Sequence, residues 1–180
     1  YSLGRDTKES WKYLMDALLK RLFDVAFSIL GLAIFSPALV VTGLLIKLST
    51  PGPVFHRGVR VGRHGKPFRI FKFRTMVINA ENLGGPSTAA GDPRITRVGK
   101  FVRSYNLDEL PQFINVLKGE MSIVGPRPEV PEYVDTFTPE ETSILSVRPG
   151  ITDWATIWIR DEGKMLEGSE DPERAYLEKI

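Results

Sequence analysis

Two adjacent acids, Asp108 and Glu109, are the side chains in this chain best suited to chemistry. Apolar residues recur at helical spacing through 108–118 and Gly119 follows, so the pattern predicts a helix with both carboxylates in its first turn. Free N–H groups and the helix dipole stabilise a charged carboxylate there. An ionised aspartate is a candidate nucleophile, but acids at a helix start are usually simple caps. The pair therefore needs neighbouring cations before it indicates a catalytic site.

Three places in the chain offer such cations. Lys72 and Arg74 are two residues apart in a predicted strand, so we expect them on one face, where two cations can bind a diphosphate. Arg127 has a proline on each side, which restricts the local backbone to extended geometry and presents the guanidinium from a stiff loop. Arg103 comes shortly before the two acids. Their ordinary alternatives are a solvated strand face, a rigid surface turn and a plain surface residue.

Acids beside an excess of arginine favour phosphoryl chemistry. In such sites a hard cation such as Mg²⁺ is held by one or two carboxylates together with substrate phosphates. Glu109 is the candidate metal ligand, with Asp108 beside it, and Asp108 is also the candidate attacking group. The residues thus predict a magnesium-dependent phosphoryl-transfer site.

The elements that must position this site begin with an uncharged apolar run, Val25 to Ile46, interrupted by Ser36-Pro37. Pro37 has no N–H and crowds the preceding turn, so we expect a kink or a break there, with the Ser36 hydroxyl as a partner for a freed backbone group. Basic residues flank both ends, which indicates that both ends face the cytoplasm. We therefore predict a re-entrant helix-break-helix over 22–48. A kinked transmembrane anchor and a buried core helix pair are the alternatives.

The rest of the chain divides around that run. Residues 1–21 predict an amphipathic interfacial helix, with a short helix packed on the domain as the alternative. Short β segments are predicted over 54–77 and a mobile loop over 81–93. At 180 residues the chain suits one functional domain. We predict a membrane-associated α+β protein whose catalytic region is 49–180, with a C-terminal element expected to be missing.

Charge is distributed unevenly along the chain. Residues 25–80 contain eight Lys or Arg and no acid, whereas 129–180 contain 13 acids and five bases. The absence of cysteine excludes disulfides, thiolate metal sites and cysteine nucleophiles. The cations of 57–74 suit anions of several kinds. The rival hypothesis is therefore a membrane-anchored anionic-lipid or nucleic-acid binding module without catalysis.

Several motifs together resemble the bacterial sugar transferase family, the monotopic phosphoglycosyl transferases. The resemblance extends from about Lys20 to the end of the chain, and the motifs stand in the family's order. The residues that carry it are Lys20-Arg21-Leu22-Phe23-Asp24, Ser36-Pro37, Lys72-Phe73-Arg74-Thr75-Met76, Arg103, Leu107-Asp108-Glu109-Leu110-Pro111-Gln112, Gly119-Glu120-Met121-Ser122, Val124-Gly125-Pro126-Arg127-Pro128 and Arg148-Pro149-Gly150-Ile151-Thr152. Each motif is weak alone, whereas the combination is highly specific.

The resemblance implies an activity and a setting for it. The implied reaction transfers a sugar 1-phosphate from a UDP-sugar to polyprenyl (undecaprenyl) phosphate and releases UMP, the first membrane step of glycan assembly. The implied partners are this donor, this acceptor and membrane lipid, with no nucleic acid, and a homodimer is left open. The implied location is the bacterial inner (cytoplasmic) membrane, with the catalytic region on the cytoplasmic face. The sugar and the glycan pathway stay open.

The same resemblance implies a role for each site residue. Asp108 forms a phosphosugar-aspartyl intermediate, and Glu109 holds Mg²⁺. Arg103 and Arg127 bind phosphate, and Lys72 supports the site. The Ser36-Pro37 pair sets the re-entrant bend.

Overall fold

A single long helix, α1 (Leu3–Ser49), begins the fold and is followed by short elements. The structure is a computed structural model that describes residues 3–84, 88 and 91–153. The other helices are α2 (Arg97–Ser104), α3 (Phe113–Lys118), α4 (Pro131–Val134) and α5 (Pro139–Thr142), with 3-10 helices at Arg63–Gly65, Ala80–Asn82, Leu107–Gln112 and Ser143–Ser146. The strands are β1 (Phe55–His56), β2 (Val59–Val61), β3 (Pro67–Arg69), β4 (Lys72–Phe73), β5 (Ser122–Val124) and β6 (Gly150–Thr152). This mixture confirms the α+β class. Part of the predicted loop over 81–93 and residues 154–180 of the predicted catalytic region lie outside the described residues.

Helix α1 is continuous through Pro37, so the chain is not interrupted at Ser36-Pro37, and a kink there stays a prediction. Residues 3–21 and 22–48 of the two predicted elements are parts of this one helix. Pro37 has no N–H to donate to Ala33 O, and the Ser36 hydroxyl donates to that carbonyl instead, at 2.8 Å. This bond is the partner that the sequence predicted, and it compensates the carbonyl without any interruption of the helix. The re-entrant course through a membrane stays a prediction.

Large apolar side chains on α1 face outward. The segment Trp11–Ser49 is long and apolar enough to cross a membrane, yet only 11% of its most apolar 18-residue window is buried. A core helix is mostly buried, so the alternative of a buried core helix pair is wrong. The stretch 11–19 is exposed throughout, and it therefore does not pack on the domain. The outward-facing apolar residues include Leu22, Phe23, Phe27, Ile29, Leu30, Ile34, Phe35, Val40, Val41, Leu44, Leu45 and Leu48.

Polar contacts fasten α1 to the rest of the protein. Asp24 is buried, and its Oδ1 accepts hydrogen bonds from Ile123 N and Ser122 Oγ, both at 3.0 Å. Lys20 Nζ lies 2.6 Å from the same oxygen. Arg21 donates to Val116 O and Leu117 O near the C-terminal end of α3, at 2.6 and 2.9 Å, and Val116 O also accepts a hydrogen bond from Gly119 N. These contacts hold α1 against α3 and β5.

The apolar run packs on the same folded unit on both sides of Pro37. Before the proline, a Cβ added at Gly31 would lie 2.8 Å from Phe113 Cζ, so the Phe113 ring rests directly on the helix at this glycine. After the proline, Ile46 is buried in a cluster with Phe73 and Val102. One face of the run is therefore covered by protein at both ends.

Three two-stranded pairings connect the short strands. β1 is antiparallel to β4, with His56 opposite Lys72, and β2 is antiparallel to β3. β5 and β6 are parallel. Strands β1 to β4 fall inside the stretch 54–77, as predicted. A second apolar cluster joins β3 to α3 and contains Phe68, Ile70, Val116 and Met121.

The segment that carries the two acids begins as a 3-10 helix. Leu107–Gln112 has this tighter form, and α3 continues from Phe113. Because Pro111 disfavours the α conformation at the residue before it, the first turn departs from the predicted α-helix. Gly119 ends α3 with a φ of 81°, a left-handed conformation that suits glycine, as the sequence predicted.

Candidate active site

Lys72 joins the two acids. Its Nζ lies 3.0 Å from Asp108 Oδ2 and 3.1 Å from Glu109 Oε1. Asp108 is only 3% exposed, whereas the Glu109 side chain is 36% exposed. Among the described residues, none donates a hydrogen bond to Asp108 Oδ1. The lysine thus holds one oxygen of Asp108 and leaves the other available for reaction.

Burial and charge act in opposite directions on this trio. Burial lowers the pKa of Lys72, but the charges of Glu109 and Asp108 outweigh it and raise the pKa above its ordinary 10.5. Burial likewise raises the pKa of Glu109, and Lys72, followed by Arg127 and Arg103, outweighs it and lowers the pKa below its ordinary 4.5. The Lys72–Glu109 pair is therefore charged at neutral pH.

Asn115 fixes the backbone next to Lys72. This fully buried side chain accepts a hydrogen bond from Phe71 N at 2.8 Å and donates to Arg69 O at 3.0 Å. It also donates to Glu120 Oε2 at 2.7 Å. The turn between β3 and β4 is thereby tied to α3, and Lys72 follows that turn directly. Asn115 was not among the site residues predicted from the sequence. It could have been noticed there as a polar residue among the apolar residues of the 108–118 stretch.

Arg103 reaches the site from the last turn of α2. Its Nε donates to Thr75 Oγ1 at 2.9 Å. Burial lowers the pKa of Arg103 below its ordinary value, while the charges of Asp108 and Asp92 oppose that effect. Asp92 itself is paired with Arg94 at 2.6 Å. The structure therefore places Arg103 in the electrostatic environment of Asp108, and phosphate binding by this arginine stays a prediction.

Arg127 belongs to the same electrostatic environment. Its side chain is half exposed, and its Nε lies 3.9 Å from Glu129 Oε1. Its charge contributes to the lowered pKa of Glu109. The stiff loop between the two prolines thus presents a guanidinium on the Glu109 side of the site, where a ligand from solvent has access to it.

Arg74 does not lie with Lys72 beside the two acids, contrary to the prediction that both cations share one strand face. It is buried and donates to Pro51 O at 2.6 Å, to Thr50 O at 3.1 Å and to Thr50 Oγ1 at 2.9 Å. Strand β4 ends at Phe73, so the alternation that would place Lys72 and Arg74 on one face ends before Arg74. The guanidinium instead fixes the turn that follows α1.

Two other cations of 57–74, Arg57 and Arg63, make separate contacts. Arg57 stacks on the Phe71 ring, with its Cζ 3.4 Å from the ring centroid, and Arg63 donates to Ser146 O at 2.8 Å. Lys72 contacts Asp108 and Glu109, and Arg74 donates to Thr50 and Pro51. This distribution weakens the rival hypothesis, which needs one continuous basic surface.

The donor set of the site fits Mg²⁺. Two adjacent carboxylates supply hard oxygen ligands, and Glu109 is open to solvent. No cluster of three or more His, Cys, Asp or Glu with metal-binding geometry occurs in the part of the chain that the structure describes. Such a site relies on substrate phosphates to complete the coordination, which is how Mg²⁺ is usually bound in phosphoryl-transfer sites.

Comparison with known proteins gives a consistent result. The family model described as bacterial sugar transferase matches residues 15–180. The chain is 46% identical over 144 residues to the UDP-N-acetylgalactosamine-undecaprenyl-phosphate N-acetylgalactosaminephosphotransferase of Aeromonas hydrophila, covering 78% of this chain and 34% of that protein. It is 48% identical over 122 residues to a putative undecaprenyl-phosphate N-acetylgalactosaminyl 1-phosphate transferase of Bacillus subtilis (strain 168), covering 68% of each.

The name of a third relative refers to glucose instead of N-acetylgalactosamine. The chain is 43% identical over 171 residues to the UDP-glucose:undecaprenyl-phosphate glucose-1-phosphate transferase of Escherichia coli (strain K12), covering 92% of this chain. The chain spans 34% of the Aeromonas protein and 37% of the Escherichia protein. The similarity therefore concerns about a third of each of these two longer relatives.

Proposed function

The chain belongs to the bacterial sugar transferase family, and from this premise we propose that it transfers a sugar 1-phosphate from a UDP-sugar to polyprenyl (undecaprenyl) phosphate. The products are a polyprenyl-diphosphate-sugar and UMP. The observation that carries the proposal is the Lys72 bridge, which holds a buried aspartate beside a glutamate that is open to ligands. A site of this kind suits in-line phosphoryl transfer, since that reaction needs positioning and charge neutralisation above all.

The chemistry proceeds in two displacements. In the first, Asp108 Oδ1 attacks the sugar-bearing phosphorus of the donor, a new P–O bond to the aspartate forms, and the P–O bond to UMP breaks. In the second, a phosphate oxygen of the lipid acceptor attacks the same phosphorus and the aspartate is released. Lys72 keeps Asp108 oriented, and Arg103 and Arg127 bind the phosphate oxygens on which negative charge increases.

Mg²⁺ is the proposed cofactor. Glu109 would hold it, with Asp108 beside it and donor phosphates completing the coordination. When bound, the ion supplies charge neutralisation at the diphosphate and favours departure of UMP. The protein's own part is to keep Glu109 ionised, which Lys72 does by lowering the pKa of Glu109.

We also propose that α1 lies in one leaflet of the inner membrane, with the folded unit on the cytoplasmic face. The same folded unit contacts α1 near Gly31 and near Ile46, and the opposite face of the helix is apolar and exposed. A helix that crossed the bilayer would carry one of these contacts away from the cytoplasmic side. Packing along both halves of the run therefore supports a helix that enters and leaves on one side, with a bend at Pro37 in the membrane.

UMP release tests the reaction. The protein is held in nanodiscs with Mg²⁺ and undecaprenyl phosphate and supplied with a panel of UDP-sugars that includes the N-acetylgalactosamine and glucose donors. We expect release with at least one donor and its loss in Asp108→Asn. Asp135→Asn makes the same change at an exposed aspartate outside the site and is expected to retain wild-type turnover.

Omission of the acceptor tests the intermediate. Without undecaprenyl phosphate, we expect at most one UMP per enzyme and a protein mass increased by one sugar phosphate. Wild-type turnover by Asp108→Asn would disprove the assignment of the nucleophile. Absence of release with every donor, together with salt-sensitive binding of anionic lipid or nucleic acid, would favour the rival binding module.

A further inference from the structure

We propose that Thr75 is a positioning residue that orients the Arg103 guanidinium toward the phosphate transferred at Asp108. The inference rests on the proposed function, which it deepens by assigning a residue that does not itself touch the substrate. Thr75 is buried, with 4% exposure, and its Oγ1 accepts a hydrogen bond from Arg103 Nε at 2.9 Å.

This bond determines how the guanidinium is presented. The group is planar, so fixing Nε fixes the plane that also contains the two terminal amino groups. Among the described residues, Thr75 is the only hydrogen-bond partner of the Arg103 side chain. Both terminal amino groups are therefore available for a bidentate contact with phosphate oxygens.

Thr75 is itself held in place by the start of α2, the helix that carries Arg103. Its carbonyl oxygen accepts hydrogen bonds from Thr96 N at 3.0 Å and Thr96 Oγ1 at 3.3 Å. A Cβ added at Gly99 would lie 1.9 Å from the same carbonyl, so only glycine permits this approach of α2. The strand segment that contains Lys72 and the helix that contains Arg103 are thus joined at Thr75.

The electrostatics explain why an orienting contact is needed. The charges of Asp108 and Asp92 both attract Arg103. A guanidinium without the Thr75 acceptor is free to rotate and pair directly with the Asp108 carboxylate. Such a pair would mask the nucleophile and withdraw the guanidinium from the substrate, so the threonine hydroxyl favours the orientation that catalysis requires.

Two substitutions at Thr75 distinguish the effect of the hydroxyl group from the effect of side-chain volume. Thr75→Val preserves the shape and removes the acceptor, and we expect kcat to fall about tenfold or more, in keeping with loss of a hydrogen bond to a charged group. Thr75→Ser keeps the hydroxyl and is expected to stay within about threefold of wild type. Thr42→Val makes the same change at an equally buried threonine of α1, also 4% exposed, and should leave kcat unchanged.

A double-mutant cycle asks whether Thr75 acts through Arg103. Arg103→Lys retains the charge and removes Nε, so adding Thr75→Val to it should cause no further loss of kcat. An equal loss in both backgrounds would overturn the proposal in favour of a general effect on the fold. Full activity of Thr75→Val, or failure of Thr75→Ser to restore activity, would also overturn it.

A measurement that does not depend on turnover separates this inference from the proposed function. The Nε–H signal of Arg103 in nitrogen-15 NMR should be protected from solvent exchange in the wild type and in Thr75→Ser, and should lose that protection in Thr75→Val. An unchanged signal in Thr75→Val would overturn the positioning role. A protected signal in a protein that releases no UMP from any donor would instead count against the reaction.

Discussion

Lys72 and Arg74 differ in role although only one residue separates them. Lys72 extends to Asp108 and Glu109, and its contacts tie a strand to a 3-10 helix that comes much later in the chain. Arg74 donates to Thr50 and Pro51 and supports the turn after α1. At the residue scale, one cation contacts the two acids of the candidate site and its neighbour supports the fold, which predicts different consequences for their removal.

Lys72→Met should raise the pKa of Glu109. Burial raises this pKa, and Lys72 is the first of the charges that oppose it, so its removal leaves burial less opposed. Because the pKa of Glu109 is lowered in the folded protein, the pair stabilises it at neutral pH and that contribution is lost as the pH falls through the lowered value, below 4.5. Because the pKa of Lys72 is raised in the folded protein, the stabilisation by the pair is lost on the alkaline side only when the pH rises above 10.5.

Carbon-13 NMR of the glutamate carboxylates measures that shift. The matched variant Arg74→Met should leave the Glu109 titration unchanged and should lower the unfolding temperature, because it removes the hydrogen bonds of a buried guanidinium to Thr50 and Pro51. A Glu109 titration that is the same in Lys72→Met and in the wild type would contradict the bridge.

Helix α1 reverses the arrangement of an ordinary surface helix. Its outward side is apolar, while its protein-facing side includes Asp24, Ser28 and Thr42, all buried. A lipid environment explains the apolar outer side, since lipid does not penalise exposed leucine and phenylalanine. On the protein-facing side, Asp24 is hydrogen-bonded to Ser122 and Ile123, whereas the Ser28 hydroxyl has no hydrogen-bond partner among the described residues. At the element scale, specific polar contacts therefore hold the helix to the domain, and Asp24 makes several of them.

Asp24→Ala should weaken the attachment of α1. The substitution leaves Ile123 N without its acceptor and leaves Ser122 Oγ with Val124 O as its remaining acceptor, and we expect a loss on the order of 2 kcal/mol in the free energy of unfolding. Thermal unfolding in detergent micelles measures the effect. Asp16→Ala removes an exposed carboxylate from the same helix and should have little effect. Equal unfolding temperatures for the two variants would rule out the anchoring role of Asp24.

At the scale of the whole molecule, the described residues form one folded unit that lies along a long apolar helix. Contacts on both sides of Pro37 keep that unit next to the helix from Arg21 to Ile46. The proposed orientation of α1 in one leaflet puts the candidate site close to the membrane surface. It also puts both ends of the apolar run on the same side of the membrane.

Cysteine labelling tests this membrane orientation. Because the sequence has no native cysteine, each single-cysteine variant carries one thiol. Lys12→Cys and Lys66→Cys place single thiols at exposed positions on opposite sides of the apolar run. In inverted membrane vesicles, we expect a membrane-impermeant maleimide to label both variants. Protection of the Lys12→Cys thiol until detergent is added would show that α1 crosses the bilayer.

Local patterns were sufficient for several features of this protein. The apolar run, the Ser36 partner for Ala33 O, the end of α3 at Gly119 and the association of Lys72 with the two acids all follow from short-range chemistry or from motif order. These features depend on periodicity, on backbone preference or on charge, each of which is visible within a few residues.

Tertiary structure decided the rest. The sequence did not show that α1 continues through Pro37. It also did not show that Arg74 donates to Thr50 or that Asn115 accepts a hydrogen bond from Phe71 N. Each depends on which distant group a side chain or carbonyl meets after packing. Thr75 is the clearest case, since its hydroxyl acquires a role only because Gly99 lets α2 approach closely enough to bring Arg103 to it. Short strands end the alternation that a sequence pattern assumes, so contacts between segments far apart in the chain determine where each cation points.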